Sequence, residues 1–306
     1  MHRWIAVSIA GLMLGACSAE RVTPDAGRDT MGVPGRSAVE LDDFGDTIPL
    51  STMARRIVSL NPTTTELIFA LGGGDRLVGR THWDVWPDAA RAVPDLGPGV
   101  RPNVEAVLAA RPDLVILYAG ADNRPAAERL RAAGIATVSL KVDRIEHFQR
   151  ATRLLGRILG DTGRARLVAD TVVATLDSVR RVTANLAHPR VVWPVDLSPL
   201  IVIGGGSFLT QLIEIAGGVN VYGDLGAVSP QLALEDVHRR DPDIVIANAG
   251  MSARIRSDPA WRMLRALRSG AIVEADDVLL GRPSVRMGEA VRALALRLHP
   301  ELARGR

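Results

Sequence analysis

Glu105-Ala-Val-Leu-Ala-Ala-Arg-Pro112-Asp113-Leu-Val-Ile116 returns later in the chain as Glu235-Asp-Val-His-Arg-Arg-Asp-Pro242-Asp243-Ile-Val-Ile246, with the Glu-to-Pro interval unchanged. Upstream of each copy stands a second matching pair, Thr65-Glu-Leu-Ile-Phe-Ala-Leu-Gly72-Gly73 and Thr210-Gln-Leu-Ile-Glu-Ile-Ala-Gly217-Gly218. A glycine pair closes a helix, and a proline stops one before a buried strand. Chance supplies one such match; two in the same order predict two lobes of related topology.

Around these segments, short apolar runs alternate with helix-like stretches. Strands are expected at 57–60, 77–78, 114–117, 137–140, 191–195, 201–203, 244–247 and 271–273. Unbroken apolar strands alternating with helices predict an α/β fold with mainly parallel sheets covered on both faces. Between the halves, residues 163–186 run without proline or internal glycine. Leu167, Val168, Val172, Leu176, Val179, Val182 and Leu186 recur at helical spacing there. This predicts one long backbone helix joining the lobes, a stiff strut beside a cleft that closes little.

Composition narrows the class. The 306 residues are 47% hydrophobic and 23% charged, which argues against wholesale disorder and against a polytopic membrane protein. Basic residues exceed acidic ones by only three, Lys141 is the sole lysine, and the arginines are scattered, so no nucleic-acid partner is expected. The lone Cys17 excludes an intrachain disulfide and a cysteine-rich zinc site.

His2 and Arg3 precede an apolar run from Trp4 to Met13, and Leu14-Gly15-Ala16-Cys17 follows. A basic head, a short apolar middle and small residues at a cleavage point read as an export signal over 1–17. Leu-Gly-Ala-Cys also resembles the bacterial lipobox, with Cys17 as the lipidated residue; a plain secretory signal is the alternative. Residues 18–53, rich in proline and glycine without a sustained period, are expected to be a flexible tether. The remaining boundaries are then an N-terminal α/β lobe at 54–145, connecting helices including the backbone helix at 146–187, and a C-terminal α/β lobe at 188–302.

A different class competes. Gly72-Gly-Gly and Gly204-Gly-Gly-Ser are candidate phosphate loops, and Asp224 follows the second at a dinucleotide-like distance, which would make an exported nucleotide-binding enzyme. Against it, Leu209 occupies the place of the third fingerprint glycine, and no lysine-bearing phosphate loop or Gly-x-Ser-x-Gly is present.

Several motifs carry a family likeness: residues 56–66, Arg-Ile-Val-Ser-Leu-Asn-Pro-Thr-Thr-Thr-Glu; residues 79–87, Gly-Arg-Thr-His-Trp-Asp-Val-Trp-Pro; residues 103–116; Ile215-Ala-Gly-Gly-Val-Asn220; and Ser229-Pro-Gln-Leu-Ala-Leu-Glu-Asp-Val237. Together they resemble the cobalamin, haem and ferric-siderophore substrate-binding proteins of ABC importers, over about Arg55 to His299, with the vitamin B12-binding branch nearest. The resemblance implies two lobes on one backbone helix with a ligand cleft between them. It also implies non-covalent capture of cobalamin, alternatively haem or a ferric siderophore, with no catalysis and no covalent cofactor. The partners implied are a permease and its ATPase, with a monomeric receptor held by lipid at an extracytoplasmic membrane face.

Aromatics make up only 4% of the chain, so two tryptophans and a histidine within Thr81-His82-Trp83-Asp84-Val85-Trp86-Pro87 are notable. A flat ligand needs broad aromatic walls. The resemblance places Trp83 and Tyr118 at aromatic cleft positions, and Thr63 and Ser229 are ligand contacts with them; Arg282 is a further contact or a solvated arginine opening the C-terminal helix, Trp86 a contact or a residue packed on its lobe, and Phe208, nearby in sequence, a contact or core. His82 is a ligand contact too, and neutral imidazole is a metal donor, although a lone loop histidine more often only hydrogen-bonds; no protein metal site is expected. The chain departs from the B12-binding pattern at Gly99, Ser229 and Ile201, where aromatics are expected. Glu105 and Glu235, one per lobe, match the glutamates by which this family docks on permease arginines. Their bland alternative is capping or solvation ahead of helices.

Overall fold

The structure is a computed structural model that describes residues 40–48 and 53–304. The expected signal peptide, Cys17 and residues 18–39 and 49–52 of the expected tether lie outside the described residues.

In the first lobe β1 (Ile57–Leu60), β2 (Leu77–Gly79), β3 (Leu114–Tyr118) and β4 (Ala136–Leu140) form a parallel sheet in the order β2-β1-β3-β4. β1 is buried at all four residues and pairs Ile57 with Leu114 through Leu60 with Leu117, as a strand covered on both faces demands. Helices α1 (Pro62–Ala70), α2 (Val104–Ala109) and α3 (Arg124–Ala132) connect the strands. Asn61 opens α1 by accepting the Thr63 N–H, and Asn103 opens α2 by accepting the Ala106 N–H.

Two helices follow, α4 (Ile145–Leu159) and α5 (Thr162–Thr183). Asp161 turns the chain between them by accepting the Arg164 N–H. At 22 residues α5 is about 33 Å long, the expected backbone helix. Its packed face differs from the one its large apolar residues describe. Leu167 is 67% and Val182 56% exposed, while Ala165, Ala169, Val172, Leu176, Val179 and Thr183 are buried. Small side chains let α5 approach its neighbours closely, so its buried stripe is partly invisible to a hydrophobicity count.

The second lobe contains β5 (Arg190–Val192), an antiparallel hairpin of β6 (Pro194–Leu197) and β7 (Leu200–Val202), then α6 (Phe208–Ile215), β8 (Val219–Asn220), α7 (Leu234–Arg240), β9 (Ile244–Ala247), α8 (Ala249–Ser257) and β10 (Ile272–Glu274). Its parallel sheet runs β8-β5-β9-β10. The first connection goes to one edge and the next crosses to the other side, as in the first lobe. The helix Met287–Leu298 then packs back against α5 and α6.

The repeats are structural equivalents. Gly72 and Gly217 close α1 and α6 at φ of 80° and 85°, which favours glycine. Arg111 and Asp241, each preceding the repeat proline, both take a left-handed φ. Asp113 accepts the Arg55 and Arg56 backbone N–H groups at 2.9 and 3.0 Å, and Asp243 accepts that of Arg190 at 2.8 Å. In each lobe the aspartate after the proline thus ties down the start of the central strand.

Residues 40–48, in the stretch expected as tether, are folded onto the first lobe. Leu41 bridges Thr47 and Ile48 enters the core. Asp42 accepts the Ser139 N–H and pairs with Arg131. Asp43 accepts the Lys141 N–H and pairs with Arg150, and Glu40 pairs with Arg157. Carboxylates at Glu40, Asp42 and Asp43 matched to arginines on α3 and α4 carry this docking; the local sequence shows only a polar, turn-rich run. No helix among the described residues is long and apolar enough to cross a membrane.

Candidate functional site

Parallel α/β sheets offer ligands the space beyond the carboxyl ends of their strands. Here both sheets turn those ends to a shared cleft. One cavity there, of about 370 Å³, is lined from the first lobe by Asn61, Thr63, Val142 and Asp143, and from the second by Trp193, Phe208, Ser229 and the run Leu280-Gly281-Arg282-Pro283, among others. A second, of about 240 Å³, is lined by Trp83, Tyr118, Pro98 and Gly99, and shares Asn61 with the first. The elements explain the placement. Asn61 follows β1, Tyr118 ends β3, Val142 and Asp143 follow β4, and Trp193 follows β5.

Of the expected ligand contacts, the first cavity gathers Thr63, Phe208, Ser229 and Arg282, and the second Trp83 and Tyr118. Trp83 is 63% exposed and free to cover a flat ligand. Phe208 is buried at the first turn of α6, with its edge in the cavity wall. Tyr118 donates its hydroxyl to Asp143 at 2.7 Å; burial and this carboxylate push the phenol well above its ordinary range. His82 and Trp86 line neither cavity. The His82 ring is exposed and lies 4.4 Å from the Trp83 ring, centroid to centroid. Trp86 packs beneath the Arg286 guanidinium, 5.3 Å from its ring centre, which joins the lobes beside the cleft.

Trp193 escaped the sequence reading. Its signals were scarcity among aromatics and its place just before Pro194 at the end of a strand, where this fold puts ligand-facing residues. Gly99 has a packing reason: a side chain there would run into the Leu60 carbonyl oxygen.

Behind the cavity walls lies a polar, buried layer. Asp84 accepts the Thr65 hydroxyl at 2.7 Å, the Thr81 hydroxyl at 2.7 Å and the Thr81 N–H at 3.1 Å. Burial outweighs these donors and lifts its carboxyl above the ordinary 3.8. Beside it Glu66, on α1, accepts from Arg282 Nε at 2.6 Å. Burial again dominates and raises the Glu66 carboxyl above 4.5, with Arg282 and then Arg286 opposing. The Thr63 hydroxyl donates to the Pro283 carbonyl at 2.8 Å, and Arg144 donates to the Gly205 carbonyl at 2.9 Å. Four contacts, at Thr63, Glu66, Trp86 and Arg144, therefore span from lobe to lobe around the cavity.

Among the described residues no group of three histidine, cysteine or acidic side chains is placed to hold a metal ion. The Gly204-Gly-Gly turn has spent its donors. The N–H groups of Gly204, Gly205 and Gly206 donate to the carbonyls of Val228, Leu225 and Ala227. A phosphate loop needs such groups free and convergent; here neighbouring backbone fills the space.

Glu105 and Glu235 are exposed in the first turns of α2 and α7, the equivalent helices of the two lobes. Glu105 pairs with Arg129 at 2.7 Å, which together with backbone hydrogen bonding keeps its carboxyl below 4.5.

Residues 57–279 match the family described as periplasmic binding protein. YvrC of Bacillus subtilis strain 168, an uncharacterized ABC transporter substrate-binding lipoprotein, is 27% identical over 317 aligned positions, covering 97% of this chain and 96% of that one. A cobalamin-binding protein of Halobacterium salinarum is 29% identical over 276 positions, covering 85% and 73%. Among solved structures, the periplasmic haem-binding protein RhuT of Roseiflexus sp. RS-1, in apo form, superposes with a TM-score of 0.73 at 26% identity, covering 81% of this chain and 98% of that one.

Proposed function

The chain belongs to the periplasmic binding protein family, and from that premise we propose that it is the substrate-binding lipoprotein of an ABC importer, taking cobalamin or a related corrinoid between its lobes and handing it to the permease. One observation carries the ligand class: aromatic side chains from both lobes, Trp83 and Tyr118 on one side and Trp193 and Phe208 on the other, bound adjoining cavities at the carboxyl ends of two parallel sheets. Such walls give a flat macrocycle contact area at little cost in rotamer entropy. The cobalamin-binding relative supports the corrin; the haem-binding structural neighbour keeps haem as the second reading.

Binding is non-covalent, no bond is made, and ATP-driven work belongs to the partner subunits. Glu105 and Glu235 are the docking points for permease arginines, and Cys17 is the acylated residue that holds the receptor at the extracytoplasmic membrane face. Acyl chains contribute about 0.8 kcal/mol per buried CH₂, so several on one cysteine anchor it firmly.

The deciding experiment is titration of the purified chain with cyanocobalamin, haem and a ferric siderophore, read by tryptophan fluorescence. Saturable quenching by cyanocobalamin alone is expected. Saturation by haem alone moves the ligand to the second reading, and no response to any of the three removes the metal-chelate assignment. Metabolic labelling with a radioactive fatty acid checks the anchor: label on the wild type and none on Cys17→Ser is expected, and equal label on both refutes acylation at that residue.

A further inference from the structure

Arg282 and Glu66 come from different lobes and meet behind the cavity wall that Arg282 helps to form; Glu66 itself lines neither cavity. Arg282 Nε donates to Glu66 Oε1 at 2.6 Å, with the side chains 15% and 3% exposed. A guanidinium usually grips a carboxylate with two parallel hydrogen bonds. Only one is closed here. Glu66 Oε2 and Arg282 Nη2 are both buried without a hydrogen-bond partner. Each such atom carries a desolvation cost that a partner would remove.

The surrounding charged groups are already engaged. Asp84 accepts three donors from Thr65 and Thr81, and Arg286 pairs with Glu289 at 2.9 Å. The unpartnered buried atoms of the pair are one acceptor oxygen and one donor nitrogen, on the two residues joined by the 2.6 Å bond. Arg282, Pro283 and Thr63 line the larger cavity, and the Thr63–Pro283 hydrogen bond holds the loop 281–283 down on α1.

A primary carboxamide offers an N–H donor and a carbonyl acceptor from one planar group, the complement of this pair. A carboxylate satisfies Arg282 but sets negative charge against Glu66, and an ammonium does the reverse.

We propose that Glu66 and Arg282 together form a carboxamide-reading subsite, and that Glu66 is the residue that makes the cleft prefer an amide-bearing ligand over its carboxylate analogue. The amide completes the pair from the side of the cavity that Arg282 lines. This rests on the cleft being the ligand site, and it sharpens the choice of ligand, since the corrin periphery carries primary amides whereas haem carries propionates.

Dissociation constants of the full chain for cyanocobalamin and for its b-, d- and e-monocarboxylic acids test the subsite. At least one acid is expected to bind about tenfold or more weakly, because a site built for a hydrogen bond rejects the analogue that lacks it. Glu66→Gln, checked for folding by circular dichroism, removes the charge and is expected to bring that ratio towards one. Acids that all bind as tightly as the parent overturn the subsite while leaving the corrinoid assignment standing; so does a folded Glu66→Gln chain with an unchanged ratio. If the variant does not fold, the wild-type ratio decides alone. If haem binds and cyanocobalamin does not, the corrinoid assignment fails and the subsite is judged separately with haem against its bis-propionamide. The amide must then bind about tenfold tighter, and parity overturns the subsite. A chain that binds neither macrocycle overturns both.

Discussion

The two lobes share a frame and differ in what they hang on it. Strand order, left-handed residues before the repeat prolines, and aspartates tying the central strands all recur. At corresponding helix positions, however, the Thr65 hydroxyl donates to the buried Asp84 carboxylate, whereas the Thr210 hydroxyl donates to the Gly204 carbonyl and receives from Asn220. The first lobe also carries Glu66 and the Trp83 loop; the second inserts the β6–β7 hairpin after Trp193. The duplicated frame diverges towards the common cleft, where we place ligand chemistry, and is retained in the folding contacts and on the surface where we place docking.

The largest expected effect tests the retained surface. Reversing both charges that we propose for docking, Glu105→Lys with Glu235→Lys, is expected to abolish uptake in a transport assay while leaving the dissociation constant unchanged. Normal uptake by the double variant removes the docking role. The tryptophans separate wall from core. Trp193 is 4% exposed, so Trp193→Ala is expected to cost about 3–5 kcal/mol in urea unfolding. Trp83→Ala, at 63% exposure, is expected to shift stability by no more than about 0.5 kcal/mol and to weaken ligand binding about tenfold. A large stability loss at Trp83 would make it a packing residue.

Next come the paired threonines. Thr65→Val is expected to cost about 2 kcal/mol, because a buried carboxylate loses a donor, and Thr210→Val about 1 kcal/mol, because its partners are neutral. Equal losses would show that the shared frame outweighs the differing partners.

The smallest effect is a slope. Glu66 and Asp84 have folded values raised above their ordinary 4.5 and 3.8, so the folded chain keeps protons that the unfolded chain releases. Their contribution is complete below those values and is lost as pH climbs past the raised ones. Asp43, whose carboxyl is held below 3.8 by Arg150 and the Lys141 N–H against its burial, acts oppositely: its contribution is present above 3.8 and lost as pH falls. Unfolding measured between pH 4 and 8 is expected to decline less steeply for Glu66→Gln, and an unchanged slope would show that the pair does not titrate in this range.

Much of the fold was legible because its signals are local. Ile57–Leu60 and Ile244–Ala247 lie where their apolar runs end, and Pro112 and Pro242 each precede a strand. The 191–195 run was read as one strand, but it is split at Trp193, whose side chain turns into the cavity wall. β8 has only two residues and is specified by pairing with β5 rather than by its own pattern. On α5 Val172, Leu176 and Val179 of the expected stripe are buried, but Ala165, Ala169 and Thr183 share the packing with them, while Leu167 and Val182 face outward.

Of the residues that line the two candidate cavities, Thr63, Trp83, Tyr118, Phe208, Ser229 and Arg282 were legible in the sequence. It was illegible where partners come from distant segments: Glu66 and Arg282 are 216 positions apart, and no local pattern announces the half-made bond between them.

The docked stretch 40–48 has a mechanical consequence. Its grips are Arg131 on α3, Arg150 and Arg157 on α4, and the backbone of β4 and its end, at Ser139 and Lys141. A pull applied at residue 40 is therefore borne by the first lobe and the root of the connecting helices, with no grip on the second sheet. With the proposed anchor at Cys17, the load would bypass the cleft and leave the contacts between the lobes unstressed.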